Sequence, residues 1–325
     1  MTRARKLVVL SVLLTAAAVV AASRPHHGTS AAHAEARAYF VGDFDTGDLT
    51  QWRDFHDAHL GSSPPGFEVV ASPRYGGAGY AARVTVLDRS DSSVGGDLSM
   101  LWDGDGGNSY ELPYLQNGHT TWFRIQFAIP DGTRRSFPGK LTPSPGSWAI
   151  IYTWHTNPYR VPTAYSSYLG IRWGRNRRKE PPSLVFRTVG GKGDGTKALL
   201  YQTDGAPQKP RNRIPLRYNR WYDALIRITF GPTARTGSVR WWIDGVEQTP
   251  ANCPTIAVAS DGSTPGVGHE VGFYRGPSQP YADTMYIDGV KAGPTAAAVG
   301  VRSLTRSQDP AHASRVDCRS TPSSP

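Results

Sequence analysis

The sequence predicts an all-β chain folded as a sandwich of two antiparallel sheets. Three observations carry this expectation. Glycine (35 residues), proline (26) and aromatic residues (10%) are plentiful. No long stretch shows helical periodicity closed by caps. Short strand-like segments recur between turn residues, at 66–72, 80–87, 121–129, 148–155, 168–173, 183–188, 221–230, 238–243, 270–275 and 284–290.

In chain order, Met1-Thr-Arg-Ala-Arg-Lys6 and the apolar run that follows to Ala22 form a positive start and a short greasy middle. With the small residues after them they read as a secretory signal over 1–23, with a second small-x-small site at Ala32-His33-Ala34. The run is too short for comfort as a bilayer-spanning anchor. Residues 24–38 read as a mobile leader, 39–293 as one β domain, and 294–325 as an Ala/Ser/Pro-rich tail. Asp244-Gly245 marks a hairpin directly after the strand Val239–Ile243. The two cysteines, Cys253 and Cys318, form an even count in an exported chain, so a disulfide joining the tail to a late loop is expected; two idle thiols are the alternative.

Alternation assigns faces. In Trp148–His155 it groups Trp148, Ile150, Tyr152 and Trp154 as a bulky core face. Ala149, Ile151, Thr153 and His155 fall on the other, where a groove has room. A plain strand-ending histidine is the bland alternative. In 221–230, Tyr222, Ala224, Ile226, Ile228 and Phe230 make the apolar face. In 270–275, Glu270, Gly272 and Tyr274 face one way, and Val271, Phe273 and Arg275 the other. The glycine beside Tyr274 leaves a notch, although most strand aromatics simply pack.

The formal charge of +10 loses three positive charges with Arg3, Arg5 and Lys6 and becomes +7 in the processed chain. Basic residues crowd the stretch from Arg172 to Arg220, against only Glu180, Asp194 and Asp204. Such a field concentrates acidic polymers, although many basic proteins merely carry a solvated basic face.

Several motifs in order resemble the heparin lyase I-like polysaccharide lyases, including the related glucuronan-lyase group. They are Gly42-Asp-Phe-Asp-Thr-Gly-Asp-Leu-Thr-Gln-Trp52, Ser72-Pro-Arg-Tyr-Gly-Gly-Ala-Gly-Tyr-Ala-Ala-Arg-Val84 and Trp148-Ala-Ile-Ile-Tyr-Thr-Trp-His155. Asn219-Arg-Trp-Tyr-Asp223, Val239-Arg-Trp-Trp-Ile-Asp-Gly245, Gly272-Phe-Tyr-Arg275 and Tyr286-Ile-Asp-Gly-Val290 follow. The resemblance implies a concanavalin-like β-jelly roll with a substrate groove, His155 as base and Tyr274 as acid. It also implies a structural Ca²⁺ clamped by Asp45 in the first strand region and Asp288 in the last; turn aspartates capping backbone amides are the alternative. Two departures stand out. The family's Arg-x-Glu element is missing, since 93–100 reads Ser-Val-Gly-Gly-Asp-Leu-Ser-Met and Arg89 is off register. Glu270 stands where heparin-type enzymes place a lysine four residues before the tyrosine, which argues against a sulfated heparin substrate.

The implied chemistry is β-elimination from a 4-linked uronate. The carboxylate must be neutralised, the C5 proton accepted and the leaving oxygen protonated. Arg275 or Arg172 is expected to hold the carboxylate, with Arg187 and Arg227 equal candidates by the same logic as Arg172; Arg275 is weakened by lying opposite Tyr274. Trp154, Tyr165 and Tyr168 are candidate sugar-stacking residues, with core packing the plainer fate of Trp154. A non-catalytic module for acidic glycans is the main rival. A glycoside hydrolase lacks the paired carboxylates it would need. The chain is expected to work as a monomer on an acidic polysaccharide, with no nucleic-acid or membrane partner.

Overall fold

Alternation and turn chemistry resolve into eighteen strands among the described residues, in chain order β1 (Phe40–Gly42), β2 (Asp54–Asp57), β3 (Phe67–Val70), β4 (Ala81–Val86), β5 (Asp97–Trp102) and β6 (Thr120–Ala128). There follow β7 (Trp148–Thr156), β8 (Ser166–Arg172), β9 (Ser183–Gly191), β10 (Lys197–Gln202), β11 (Ile214–Pro215) and β12 (Trp221–Thr229). The last are β13 (Ser238–Ile243), β14 (Val246–Glu247), β15 (Ala251–Asn252), β16 (Val267–Arg275), β17 (Asp283–Gly293) and β18 (Val316–Asp317). A 3₁₀ turn spans Pro113–Leu115, and no α-helix occurs among the described residues.

The computed structural model describes residues 36–52, 54–57, 66–77, 79–86, 97–102, 112–131, 148–156, 166–172, 182–191, 197–202, 214–248, 250–257, 262–264, 266–275, 283–304 and 316–317. For 54–57, 97–102, 148, 166, 172, 189–191, 197–202 and 316–317 it describes the backbone alone. The signal and most of the leader, Arg89, Tyr165 and Cys318 lie outside the described residues, as does much of the basic stretch.

The strands form two sheets. The larger runs β18-β15-β13-β12-β6-β17-β4-β3, with β1 on β17 and β14 on β13; the smaller runs β10-β9-β8-β7-β16-β5-β2, with β11 on β9. Every pairing is antiparallel except the short β15–β18 contact. This is the expected concanavalin-like jelly roll. One apolar core fills the space between the sheets. From β12 it takes Tyr222, Ala224, Ile226 and Ile228, as alternation predicts, and Phe230 follows directly after the strand. The β13–β14 turn has Asp244 and Gly245 both at positive φ (51° and 78°), the backbone that an Asp-Gly hairpin favours. Beyond Gly293 the chain still packs: Val299 is buried with Leu225 and Trp242 on the other side of the larger sheet.

Two irregularities interrupt the ladders, and the first positions the functional face. The first is on β7. Opposite β8, Ile150 pairs with Gly170 and Tyr152 with Leu169, so Ile151 is an extra residue. The expected alternation along 148–155 therefore fails at its centre. Ala149, Ile151, Tyr152 and Trp154 all belong to the core, while Ile150 pairs with Tyr274 on the opposite, outer face. Beyond the bulge the outward residues are Thr153 and His155, as expected.

The second irregularity is on β17, whose partner changes from β4 (at 283–287) to β1 (at 290–292). Asp288 and Gly289, the latter at φ 64°, occupy the switch, where the register against β6 also slips.

Beneath the functional face, His269 is fully buried on the core side of β16. Its Nδ1 meets the Tyr152 hydroxyl at 2.9 Å and its Nε2 the Tyr114 hydroxyl at 3.2 Å. The pairing satisfies polar groups that burial would otherwise penalise.

Candidate active site

Strand alternation sends the odd residues of β16 into the core. Val267, Val271 and Phe273 pack there, and Glu270, Gly272 and Tyr274 are left on the outer face. Next to them β7 contributes Thr153 and His155, with Glu270 paired to Thr153 and Gly268 to His155. The same line continues across the sheet: Thr153 pairs with Tyr168 of β8, and Tyr168 with Arg187 of β9. Arg187, Tyr168, Thr153 and Glu270 thus form one row, with adjacent strands about 4.8 Å apart.

His155 Nε2 lies 3.8 Å from Glu270 Oε1. The His155 side chain is 32% exposed, whereas Glu270 keeps only 5% of its surface. Burial pushes the Glu270 carboxyl up to about 8, so it carries its proton at neutral pH. Tyr274 is also raised, first by burial and then by Glu270, which keeps its phenol protonated. The face therefore joins an imidazole and a proton-bearing phenol on either side of a buried acid. At the other end of the row Arg187 donates from Nη1 to the Tyr168 hydroxyl at 2.6 Å. Its Nε–H is buried without a partner among the described residues.

Other candidates fall elsewhere. Arg275 is turned into the core, fully buried and paired with the equally buried Asp283. It is not on the Tyr274 face, because an odd position on β16 points inward. Trp154 is a core residue at 1% exposure, stacked on Tyr152 with centroids 4.4 Å apart, so it offers no surface to a sugar. Arg227 lies on the larger sheet over the Trp122 ring, on the far side of the sandwich. Arg172 pairs in register with Trp148 and Ser183, and its side chain lies outside the described residues.

A sequence profile described as polysaccharide lyase matches residues 44–291. The chain belongs to the polysaccharide lyase family. The match is to that family at large, a coarser assignment than the heparin lyase I-like group its motifs resemble. No match is found among curated proteins. Among solved structures the fold is shared with an endo-β-1,4-glucuronan lyase from the fungus Trichoderma reesei. There the TM-score is 0.55 at 15% identity, covering 81% of this chain and 98% of that one. Alginate lyase Aly36B gives a TM-score of 0.45 at 11% identity, covering 79% of this chain and 95% of that one. An alginate lyase from Klebsiella pneumoniae gives 0.40 at 13%, covering 67% and 82%. The glucuronan-lyase likeness speaks to the fold; the family rests on the sequence match.

In this polysaccharide lyase, the residue that sequence reasoning undervalued is Glu270. It registered as a residue on the Tyr274 face and as a departure from a family lysine, with no role assigned to it. Its signal was available, since it shares a face with Tyr274 by simple alternation. Its closeness to His155 needs the β7–β16 register, which the sequence does not display.

The acidic pair at the chain ends also comes together. Asp288 Oδ2 accepts the Tyr75 amide at 2.8 Å. Burial pushes the Asp288 carboxyl up to about 6, against that hydrogen bond, and Asp45 and Asp43 push the same way. Asp45 fits against Gly79, where an added Cβ would strike its Oδ1. The loop 71–80 thus meets both carboxylates, and carboxylate oxygens are the hard ligands calcium takes. No group of three or more His, Cys, Asp or Glu side chains suited to a metal occurs among the described residues, so carbonyls would have to complete the shell.

Proposed function

We propose that this polysaccharide lyase is secreted and cleaves a uronic-acid-containing acidic polysaccharide by β-elimination. The observation that carries the reading is the outer face of the smaller sheet, where His155, Glu270 and Tyr274 stand together and the Arg187–Tyr168 pair continues the row.

His155 Nε2 takes the C5 proton of the uronate. The C5–H electron pair becomes the C4–C5 double bond, the C4–O bond breaks, and Tyr274 gives its phenolic proton to the departing oxygen. The products are a chain bearing an unsaturated uronate and a chain with a free anomeric hydroxyl at its new reducing end; His155 and Tyr274 then return to their starting states by proton exchange with water. The raised Tyr274 suits a proton donor better than a base. Arg187 meets a substrate carboxylate three strands from Glu270, through the Nε–H that lacks an acceptor among the described residues. Arg172 is a second candidate for that role.

In the same reading Asp45 and Asp288 hold a structural Ca²⁺, which supplies a clamp and no step of the reaction. Cys253 and Cys318 form a disulfide, supported by the parallel register of Ala251–Asn252 with Val316–Asp317, each pair ending one residue before a cysteine. The protein acts as a monomer.

The test is incubation with glucuronan, alginate, chondroitin and heparin, reading the ultraviolet absorbance of the unsaturated product. Wild type produces it from at least one non-sulfated polyuronate. H155A and Y274F each lose at least about 100-fold in kcat while still binding polymer. Binding without any absorbing product would make the protein a glycan-binding module instead. Near-normal turnover in either variant would remove that residue from the mechanism.

A further inference from the structure

We infer that Glu270 is a substrate-binding and specificity residue: as an uncharged carboxylic acid it donates a hydrogen bond to the carboxylate of the uronate being cleaved. The inference rests on the lyase reading above and goes beyond it, because it assigns carboxylate neutralisation at the reacting sugar to an acid rather than to a cation.

Three observations lead there. First, Glu270 is placed at the reactive end of His155. Its Oε1 is 3.8 Å from Nε2, the nitrogen that meets the C5 proton. The carboxyl therefore flanks the reacting carbon and its attached carboxylate, and does not stand behind the base. Second, Glu270 shares its strand face with Tyr274, with only Gly272 between them on that face. Base, acid and carboxyl thus serve one sugar. Third, a buried carboxylate here would repel a polyuronate and lack a permanent counter-charge among the described residues. The groups that face it are His155 and Thr153 from β7 and Tyr274 from its own strand; on β5 the residue in register is Trp102, and Asp54 of β2 lies one strand further. None of these is a permanent cation. Arg187 is three strands away along the row. The neutral acid resolves the conflict, and the high proton affinity that burial gives this carboxyl supports it. A carboxylic acid kept neutral to donate a hydrogen bond to developing negative charge is sound chemistry in an apolar site.

The consequence is selectivity. A protonated carboxyl pairs with a planar carboxylate, whereas a dense cluster of sulfates calls for cations. Activity should also fall on the alkaline side as Glu270 loses its proton.

The experiment compares full-length wild type, E270Q, E270A and H155A on glucuronan, alginate, chondroitin and heparin across the pH range. It follows the unsaturated product, with an unfolding midpoint measured for each variant. Glutamine keeps a neutral donor and cannot ionise. E270Q is expected to keep its kcat/KM within about tenfold of wild type below neutrality and to retain it at alkaline pH where wild type falls. E270A is expected to lose about 100-fold in kcat/KM, with kcat falling as well as KM rising. An E270Q variant that folds yet is as inactive as H155A overturns the inference, since a required carboxylate would then be a base or a partner of His155. An alkaline limb that is the same in wild type and E270Q overturns it too. If E270A fails to fold, the E270Q profile decides alone. Wild type that makes no unsaturated product from any polymer overturns the lyase reading and this inference with it; active wild type with inactive E270Q overturns the inference only.

Discussion

Glu270 leaves a mark on stability as well as on chemistry. Its folded-state carboxyl titrates near 8 against an ordinary 4.5, and burial is the cause. The sign follows from linkage: the folded protein holds this proton more tightly than the unfolded chain does. The associated stability is fully present below about pH 4.5 and is lost progressively as pH rises toward 8, by an amount on the order of a few kcal/mol. E270Q removes this dependence. Its unfolding midpoint should gain on wild type between pH 5 and pH 8, whereas a gap constant across that range would show that the carboxyl does not titrate there. Single residues also show how far the sequence could be read. Arg275 opposite Tyr274 followed from alternation alone, and the buried Arg275–Asp283 pair confirms the direction of both side chains. Arg187 could not be singled out among several arginines. Its distinction is a contact with Tyr168 across two strands whose register no local pattern encodes.

At the scale of the strand, the legible elements were the longer runs between turn residues: β3, β4, β6, β7, β8, β9, β12, β13, part of β16 and most of β17. Those that escaped include β2, β5 and β10, short or mixed runs whose strand character comes from the ladder they join rather than from their own residues. The bulge at Ile151 escaped for the same reason. Ile150, Ile151 and Tyr152 are all apolar, so nothing in their chemistry marks where the alternation slips. Yet the slip sets the site, since it turns Ile150 to the Tyr274 side while keeping Tyr152 over His269. It also brings the β7 backbone hard against β8. A Cβ on Gly170 would run into the Ala149 carbonyl, a backbone atom that cannot swing aside. G170A should therefore destabilise the fold by about 1–3 kcal/mol, although the same change is harmless in an ordinary strand. Urea unfolding would measure it, and an unchanged midpoint would mean that the two strands have room to separate.

Across the whole molecule, the larger sheet joins the start of the domain to its last long strand. β1 and β4 share β17 end to end, and the handover falls at Asp288 and Gly289. A strand that changes partners leaves a gap in its ladder, and the loop 71–80 fills this one from the side through the Tyr75 amide. Asp45, just after β1, meets the same loop at Gly79. Three segments far apart in sequence thus converge on two carboxylates that repel each other, so the junction is under electrostatic stress that a divalent cation would relieve. The sequence exposed the two aspartates only through family resemblance; the gap between β1 and β4 gives them a physical reason. If Ca²⁺ occupies the junction, a chelator should lower the unfolding midpoint by several degrees, and calcium should restore it more fully than magnesium, which demands a stricter octahedral shell. D45N should lower the midpoint and abolish the chelator's effect. At temperatures where the chelated protein stays folded, kcat should hardly move, because the junction lies in the larger sheet and the reacting groups on the smaller one. A midpoint indifferent to chelator would leave the aspartates as partners of turn amides, and a kcat that collapses with chelation in the folded protein would place the ion's influence at the reaction itself.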